Sequence, residues 1–125
     1  MLRTFNALPA GGDMADTLYT CYKRANEEAL NIQSEDEREA GGSTITAVYI
    51  RGDECVFLSS GDSRIYLCRG GSLIQLSRDQ NMGALLDVRA GLGDIDWSMA
   101  KSAMGRSSLT GHLGMNGGQP CDISP

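Results

Sequence analysis

Between Ser43 and Ser77 four runs of strand-forming residues follow one another with almost no sequence to spare between them. They are STITAVYI (Ser43 to Ile50), ECVFLSS (Glu54 to Ser60), RIYLCR (Arg64 to Arg69) and SLIQLS (Ser72 to Ser77). Gly52-Asp53, Gly61-Asp62-Ser63 and Gly70-Gly71 separate them. A parallel crossover needs about a dozen residues or more, so connections this short demand antiparallel neighbours. The expected unit is a four-stranded β-meander over residues 43–77. Its first two strands are apolar on both faces, which requires a covering layer on each side.

Helical patterns flank this unit, which makes the fold class α+β. Asp13 is placed to cap a helix, with Asp16 in its first turn against the positive end. Met14, Leu18, Cys21, Tyr22, Ala25, Ala29 and Ile32 then recur at helical spacing along one face. The charged stretch from Gln33 to Gly42 ends that helix. Its cluster of Glu35, Asp36, Glu37 and Glu39 reads as a solvated face, since a metal wants oxygens converging on one point. After the strands, Asn81 to Gly91 and Asp94 to Gly105 are expected as short helices, the second capped by Asp94 or Asp96. Residues 1–12 read as a flexible N-terminal segment. The Gly-rich end beyond Ser107 shows no terminating element, which suggests a fragment.

At 125 residues the chain suits one domain. Eleven Lys and Arg against sixteen Asp and Glu give a net charge of -5, with no basic run, so nucleic acid is not an expected partner. No apolar run approaches the ~18 residues of a membrane span, and the N-terminus lacks the apolar core of a signal peptide. Cys21, Cys55, Cys68 and Cys121 form no CxxC, and with one histidine a Cys/His zinc site is not expected. Cys55 and Cys68 sit inside apolar strand patterns and are expected as small core residues. Free thiols and a cytoplasmic location follow as expectations.

Few residues offer chemistry. Arg51-Gly52-Asp53 reads as a hairpin turn rather than an adhesion signal. His112, the one imidazole, would need a partner in space to act as acid or base, and is expected as a loop residue. Ser43 and Thr44 follow glycines, yet no Lys follows and no helix opens there, so they start a strand rather than cradle a phosphate. Asp62 remains, either as the polar tip of a turn or as a functional carboxylate. Alone it is no metal site, because two-metal phosphoryl chemistry gathers several carboxylates around ions about 3.5–4 Å apart.

The run GGSTITAVYIRGDECVFLSSGDSRIYLCRGGSLIQLSRDQN resembles the middle of the metal-dependent protein phosphatases of type 2C, the PPM family. Gly42-Ser43-Thr44 matches the family's Gly-Ser/Thr-Thr strand start, and Gly61-Asp62-Ser63-Arg64 its Gly-Asp-Ser-Arg. Tyr66-Leu67, Arg69-Gly70-Gly71 and Leu73 to Asp79 match the Tyr-Leu, Arg-Gly-Gly and Leu-x-x-Leu-Ser/Thr-x-Asp that follow. Order and spacing agree over some forty residues. A weaker likeness takes in the helix from Asp13 to Ile32 and Ser107 to Met115, so the resemblance covers residues 13–122, with a flap-like helical region at 80–115.

The resemblance implies part of an α-β-β-α sandwich and hydrolysis of phosphoserine or phosphothreonine in phosphoprotein substrates, with magnesium or manganese as cofactor. It assigns Asp62 to an additional-ion position beside the metal cluster. Gln80 stands where the family often has histidine. The Asp-Gly-x-Gly-Gly that bridges the family's metals belongs upstream of residue 13, and its Ser-Asp-Gly and Asp-Asn motifs belong downstream of Pro125. This chain has no Asp-Gly and no counterpart of the phosphate-binding arginine. The expectation is a central phosphatase fragment, inactive by itself, which self-associates through an open sheet face. The alternative is a non-catalytic phosphatase-fold module that binds a partner.

Overall fold

The computed structural model describes residues 1–35, 42–115 and 122–124. In chain order the elements are α1 (Leu2–Ala7), α2 (Met14–Glu35), β1 (Ile45–Arg51), β2 (Glu54–Ser60), β3 (Tyr66–Arg69), β4 (Ser72–Gln75), α3 (Met82–Gly91), α4 (Trp97–Ser102) and β5 (Asp122–Ser124). No helix of the described residues is long and apolar enough to cross a membrane. Asp36, Glu37 and Glu39 of the acidic cluster and Cys121 lie outside the described residues.

Both two-residue hairpins form as their spacing predicts. Arg51 pairs with Glu54 across Gly52-Asp53, and Arg69 with Ser72 across Gly70-Gly71. Arg51 is thus a hairpin-end residue, held by the Gly12 carbonyl at 2.8 Å.

The single meander does not form. β1 and β2 belong to one sheet of order β1-β2-β5, and β3 and β4 make a separate ladder. The cause lies in the connection between β2 and β3. Gly61 donates its N–H to the Gln80 Oε1 at 2.8 Å, and its carbonyl accepts the Gln80 N–H at 3.1 Å. Backbone groups spent on Gln80 cannot extend a ladder, so β3 leaves the sheet. β5 takes the vacant edge of β2, pairing Leu58 with Ile123. The sequence pattern gave no terminating element there, and three residues offer little periodicity to find.

The core lies between α2 and one face of this sheet. Alternation along the strands puts Ile45, Ala47, Tyr49, Val56 and Leu58 toward the helix, where Met14, Leu18 and Tyr22 meet them at i, i+4 and i+8. Asp13 caps the helix as its position suggests, its Oδ1 accepting the Asp16 N–H at 2.9 Å. Tyr22 and Ser60 bring their hydroxyls within 3.4 Å at the sheet end of this core. Ile32 departs from expectation at 68% exposure. From Met14 to Ile32 the helix covers about 27 Å, more than the ~23 Å of a seven-residue strand, and its last turns have less sheet beneath them.

Residues 1–12 carry α1 where a flexible segment was expected. The Phe5 ring meets Tyr49 edge-on at 5.0 Å, and Met1 packs against the core, so apolar contact holds the segment to the sheet.

The opposite sheet face is partly open. Phe57 is buried, but Val48, Ile50 and Cys55 are exposed. Every residue of β4 is exposed, as is Cys68 of β3. The expectation that Cys55 and Cys68 are core residues therefore fails, because the described residues leave these two positions uncovered. Among the described cysteines Cys21 is the buried one, and burial pushes its pKa up.

Removing the Leu58 side chain, 0% exposed, with Leu58→Ala should cost about 2–5 kcal/mol in urea unfolding. Leu73→Ala, at a residue 68% exposed, should stay within about 0.5 kcal/mol.

Candidate functional site

Asp62 sits one residue beyond the bend that ends β2. Gly61 makes that bend with a φ of +108°, a region closed to ordinary side chains. A Cβ on Gly61 would lie 2.4 Å from the Thr44 Cγ2, so the two backbones approach only because the side chain is absent. Thr44 and Ser63 then join their hydroxyls at 2.7 Å. Two motifs distant in sequence, Gly42-Ser43-Thr44 and Gly61-Asp62-Ser63, are therefore one contact in space.

Gly42 is a second close approach. A Cβ there would fall 2.3 Å from the His112 Nδ1. That ring nitrogen lies 2.7 Å from the Leu113 carbonyl, and Ser43 and Leu113 form an isolated β-bridge. His112 is a half-buried loop residue whose Nδ1 turns to the backbone.

Arg64 and Asp79 close the base of the β3–β4 hairpin. The guanidinium grips both carboxylate oxygens, Nε to Oδ1 at 2.8 Å and Nη2 to Oδ2, and also donates to the Tyr66 hydroxyl at 3.2 Å. Gln75 donates to the Asp79 Oδ1 at 3.1 Å, and the Ser77 Oγ accepts the Ile65 N–H at 2.8 Å. The paired guanidinium holds the Asp79 carboxyl below its usual range, while the same hydrogen bond, with help from Tyr66, drives the Arg64 pKa up. A planar bidentate pair fixes direction as well as distance, so Arg64 and Asp79 set the angle at which the hairpin leaves the Asp62 turn.

The neighbours of Asp62 itself were not singled out from the sequence. Its Oδ2 accepts from the Asn81 Nδ2 at 3.2 Å, and the Asn81 Oδ1 caps α3 by accepting the Ala84 N–H at 2.9 Å. An Asx residue directly before a helical run is a cap signal, so Asn81 was legible as a cap and not as a partner of Asp62. α4 has Asp96 at its N-cap position, with no capping bond from the side chain. Asp87 joins the two helices to the following segment through Arg106 at 3.0 Å and Lys101 at 3.2 Å, and its carboxyl is held below the usual range chiefly by Arg106.

Asn26 of α2, 7% exposed, accepts the Gly114 N–H at 2.7 Å. A polar residue on a helix gives no sequence signal of a partner 88 positions away.

Among the described residues no three His, Cys, Asp or Glu side chains gather as a metal site. Asp62 is one carboxylate with one oxygen engaged, and the residues present do not by themselves fit a metal pair.

Gly61→Ala should destabilise the chain by about 2–4 kcal/mol, combining left-handed strain with the clash on Thr44. In a Thr44→Ser background, which removes the methyl and keeps the hydroxyl, the same substitution should cost about 1–2 kcal/mol less. Equal costs in both backgrounds, measured by urea unfolding, would mean that the Thr44 contact is not what excludes a side chain there.

A family model described as Protein phosphatase 2C matches residues 4–84, which includes most of α1 together with Asp62. The serine/threonine protein phosphatase PstP of Mycobacterium tuberculosis is 30% identical over 104 residues, covering 82% of this chain and 20% of PstP. Probable protein phosphatase 2C 59 of Arabidopsis thaliana is 34% identical over 67 residues, 54% of this chain and 21% of that protein. Among solved structures, the PPM Ser-Thr phosphatase MsPP from Mycobacterium smegmatis, in complex with cacodylate, aligns with a TM-score of 0.72 at 25% identity over 98% of this chain and 53% of that one. The Mycobacterium tuberculosis phosphatase PstP/Ppp aligns with a TM-score of 0.75, also at 25% identity, over 98% of this chain and 52% of that one. The chain spans about a fifth of these curated relatives and about half of these solved chains.

Proposed function

The chain belongs to the protein phosphatase 2C family, and from that premise we propose that it forms the central part of a metal-dependent serine/threonine phosphatase domain. In the complete domain the reaction is hydrolysis of phosphoserine or phosphothreonine in a phosphoprotein, with magnesium or manganese as cofactor. The observation that carries the reading is the interlock of Thr44, Gly61 and Ser63. It fixes Asp62 at a defined place on a rigid turn, which is what an ion-holding carboxylate needs and a mere turn tip does not.

Asp62 helps to hold an additional ion once the rest of the domain supplies the remaining carboxylates. Within this chain it has no companions among the described residues, so no catalytic step is assigned to it here. A reducing, cytoplasmic location belongs to the same proposal.

The chain by itself should show no manganese-dependent hydrolysis of p-nitrophenyl phosphate or a phosphopeptide above buffer. Turnover abolished by Asp62→Ala would overturn that expectation. The reading frame encoding the chain should continue into Asp-Gly-x-Gly-Gly upstream and Ser-Asp-Gly downstream. A natural start at Met1 and stop after Pro125 would favour the non-catalytic binding module instead.

The open sheet face adds a second consequence. Val48, Ile50 and Cys55 present apolar surface that the described residues leave uncovered, and surface of this kind usually finds a partner. For the chain by itself we infer that a second copy covers this face. Sedimentation equilibrium should show concentration-dependent association, weakened by the pair Val48→Lys and Ile50→Lys. A monodisperse monomer at all concentrations would count against it.

A further inference from the structure

We propose that Asn81 is the positioning residue for Asp62, and that its side-chain amide ties the orientation of that carboxylate to helix α3. The inference deepens the phosphatase reading and rests on it for the importance of Asp62.

Both ends of the Asn81 amide are in use. Its Oδ1 accepts the Ala84 N–H at 2.9 Å as the cap of α3, and its Nδ2 donates to the Asp62 Oδ2 at 3.2 Å. The amide is planar, so fixing one end fixes the direction of the other. Among the residues that cap helices well, Asp has no donor, and Ser and Thr carry donor and acceptor on one oxygen close to the backbone. Asn alone offers a donor on a separate atom while its oxygen caps. The capping requirement by itself would be met by any of the four, so it is the second bond that calls for asparagine.

The backbone around Asn81 is fixed on both sides, so the amide works from a rigid base. Gln80 exchanges hydrogen bonds with Gly61, its carbonyl accepts the Thr110 N–H at 2.9 Å, and Asn81 forms a β-bridge with Leu109. Met82 donates to the Ser108 carbonyl at 2.8 Å and Gly83 to the Arg106 carbonyl at 2.7 Å. Arg106 in turn pairs with Asp87 in the middle of α3. The first turn of α3 is thereby clamped to residues 106–110, and Asn81 is the point where that clamped unit touches Asp62. Moving α3 relative to the Asp62 turn must stretch either the cap or the carboxylate bond.

The test is nuclear magnetic resonance on the isotopically labelled 125-residue chain, without metal or phosphate ester. Asn81→Ser keeps a good cap, so exchange protection at the Ala84 amide should stay within about threefold of the unsubstituted chain. In the same variant the Asp62 carboxyl carbon signal should move and its side chain should lose its single rotamer. A role confined to capping would leave Asp62 unchanged in Asn81→Ser, and that result overturns the proposal. Asp62→Ala covers the case in which Asn81→Ser loosens the helix. The Asn81 side-chain amide protons should then exchange about tenfold faster, the loss expected for a bond to a charged acceptor, with Ala84 still protected. An unchanged Asn81 amide in that variant also overturns it. Because neither readout involves catalysis, failure here leaves the phosphatase reading standing, and failure of that reading leaves the measured coupling intact.

Discussion

The approach of Gly61 to Thr44 is the contact on which the rest of this structure depends. It brings the end of β2 against the start of β1 at a distance that no side chain at residue 61 would allow. With Thr44 and Ser63 joined by their hydroxyls, the chain must turn sharply at Gly61 rather than continue into another ladder. The separation of β3 from the main sheet, the position of half-buried Asp62 on a turn and the engagement of Gln80 all follow from that bend. A glycine here is required twice over, once by its φ and once by the space.

Around this bend the molecule is held by two different kinds of force. Apolar burial joins α2 to one face of the sheet through Met14, Leu18, Tyr22, Val56 and Leu58, and sets the layers. Directional polar contacts then set the loops. Arg64 with Asp79 orients the hairpin, Asn26 holds Gly114, and Arg106 with Asp87 holds the α3–α4 pair. Burial is insensitive to direction, whereas these hydrogen bonds fix angles, and the Asp62 turn lies where the two meet.

This division explains why the functional reading is about placement. Asp62 is one carboxylate whose chemical value depends on where neighbouring groups converge, and in the proposed phosphatase domain those groups come from outside this chain. Within the described residues the structure supplies the scaffold for that arrangement: a rigid turn, an oriented hairpin and a helix pair anchored beside it.

Local pattern was enough for α2 with its Asp13 cap, for both two-residue hairpins and for α3, because their signals lie within a few residues of one another. The order and spacing of the Gly-Ser-Thr and Gly-Asp-Ser-Arg motifs were likewise readable, and with them the family. Pattern went wrong where distant groups decide. Alternation made Cys55 and Cys68 look buried, but alternation records which residues share a face and not whether anything lies over it. Short connections suggested one meander, but Gly61 had its backbone bonds taken by Gln80, and β5 claimed the free edge of β2. Asn81, Asn26 and Arg106 are ordinary polar residues in one dimension. They gain meaning only when folding brings Asp62, Gly114 and Asp87 to them, because a hydrogen bond is defined by distance and angle in space, which a sequence does not record.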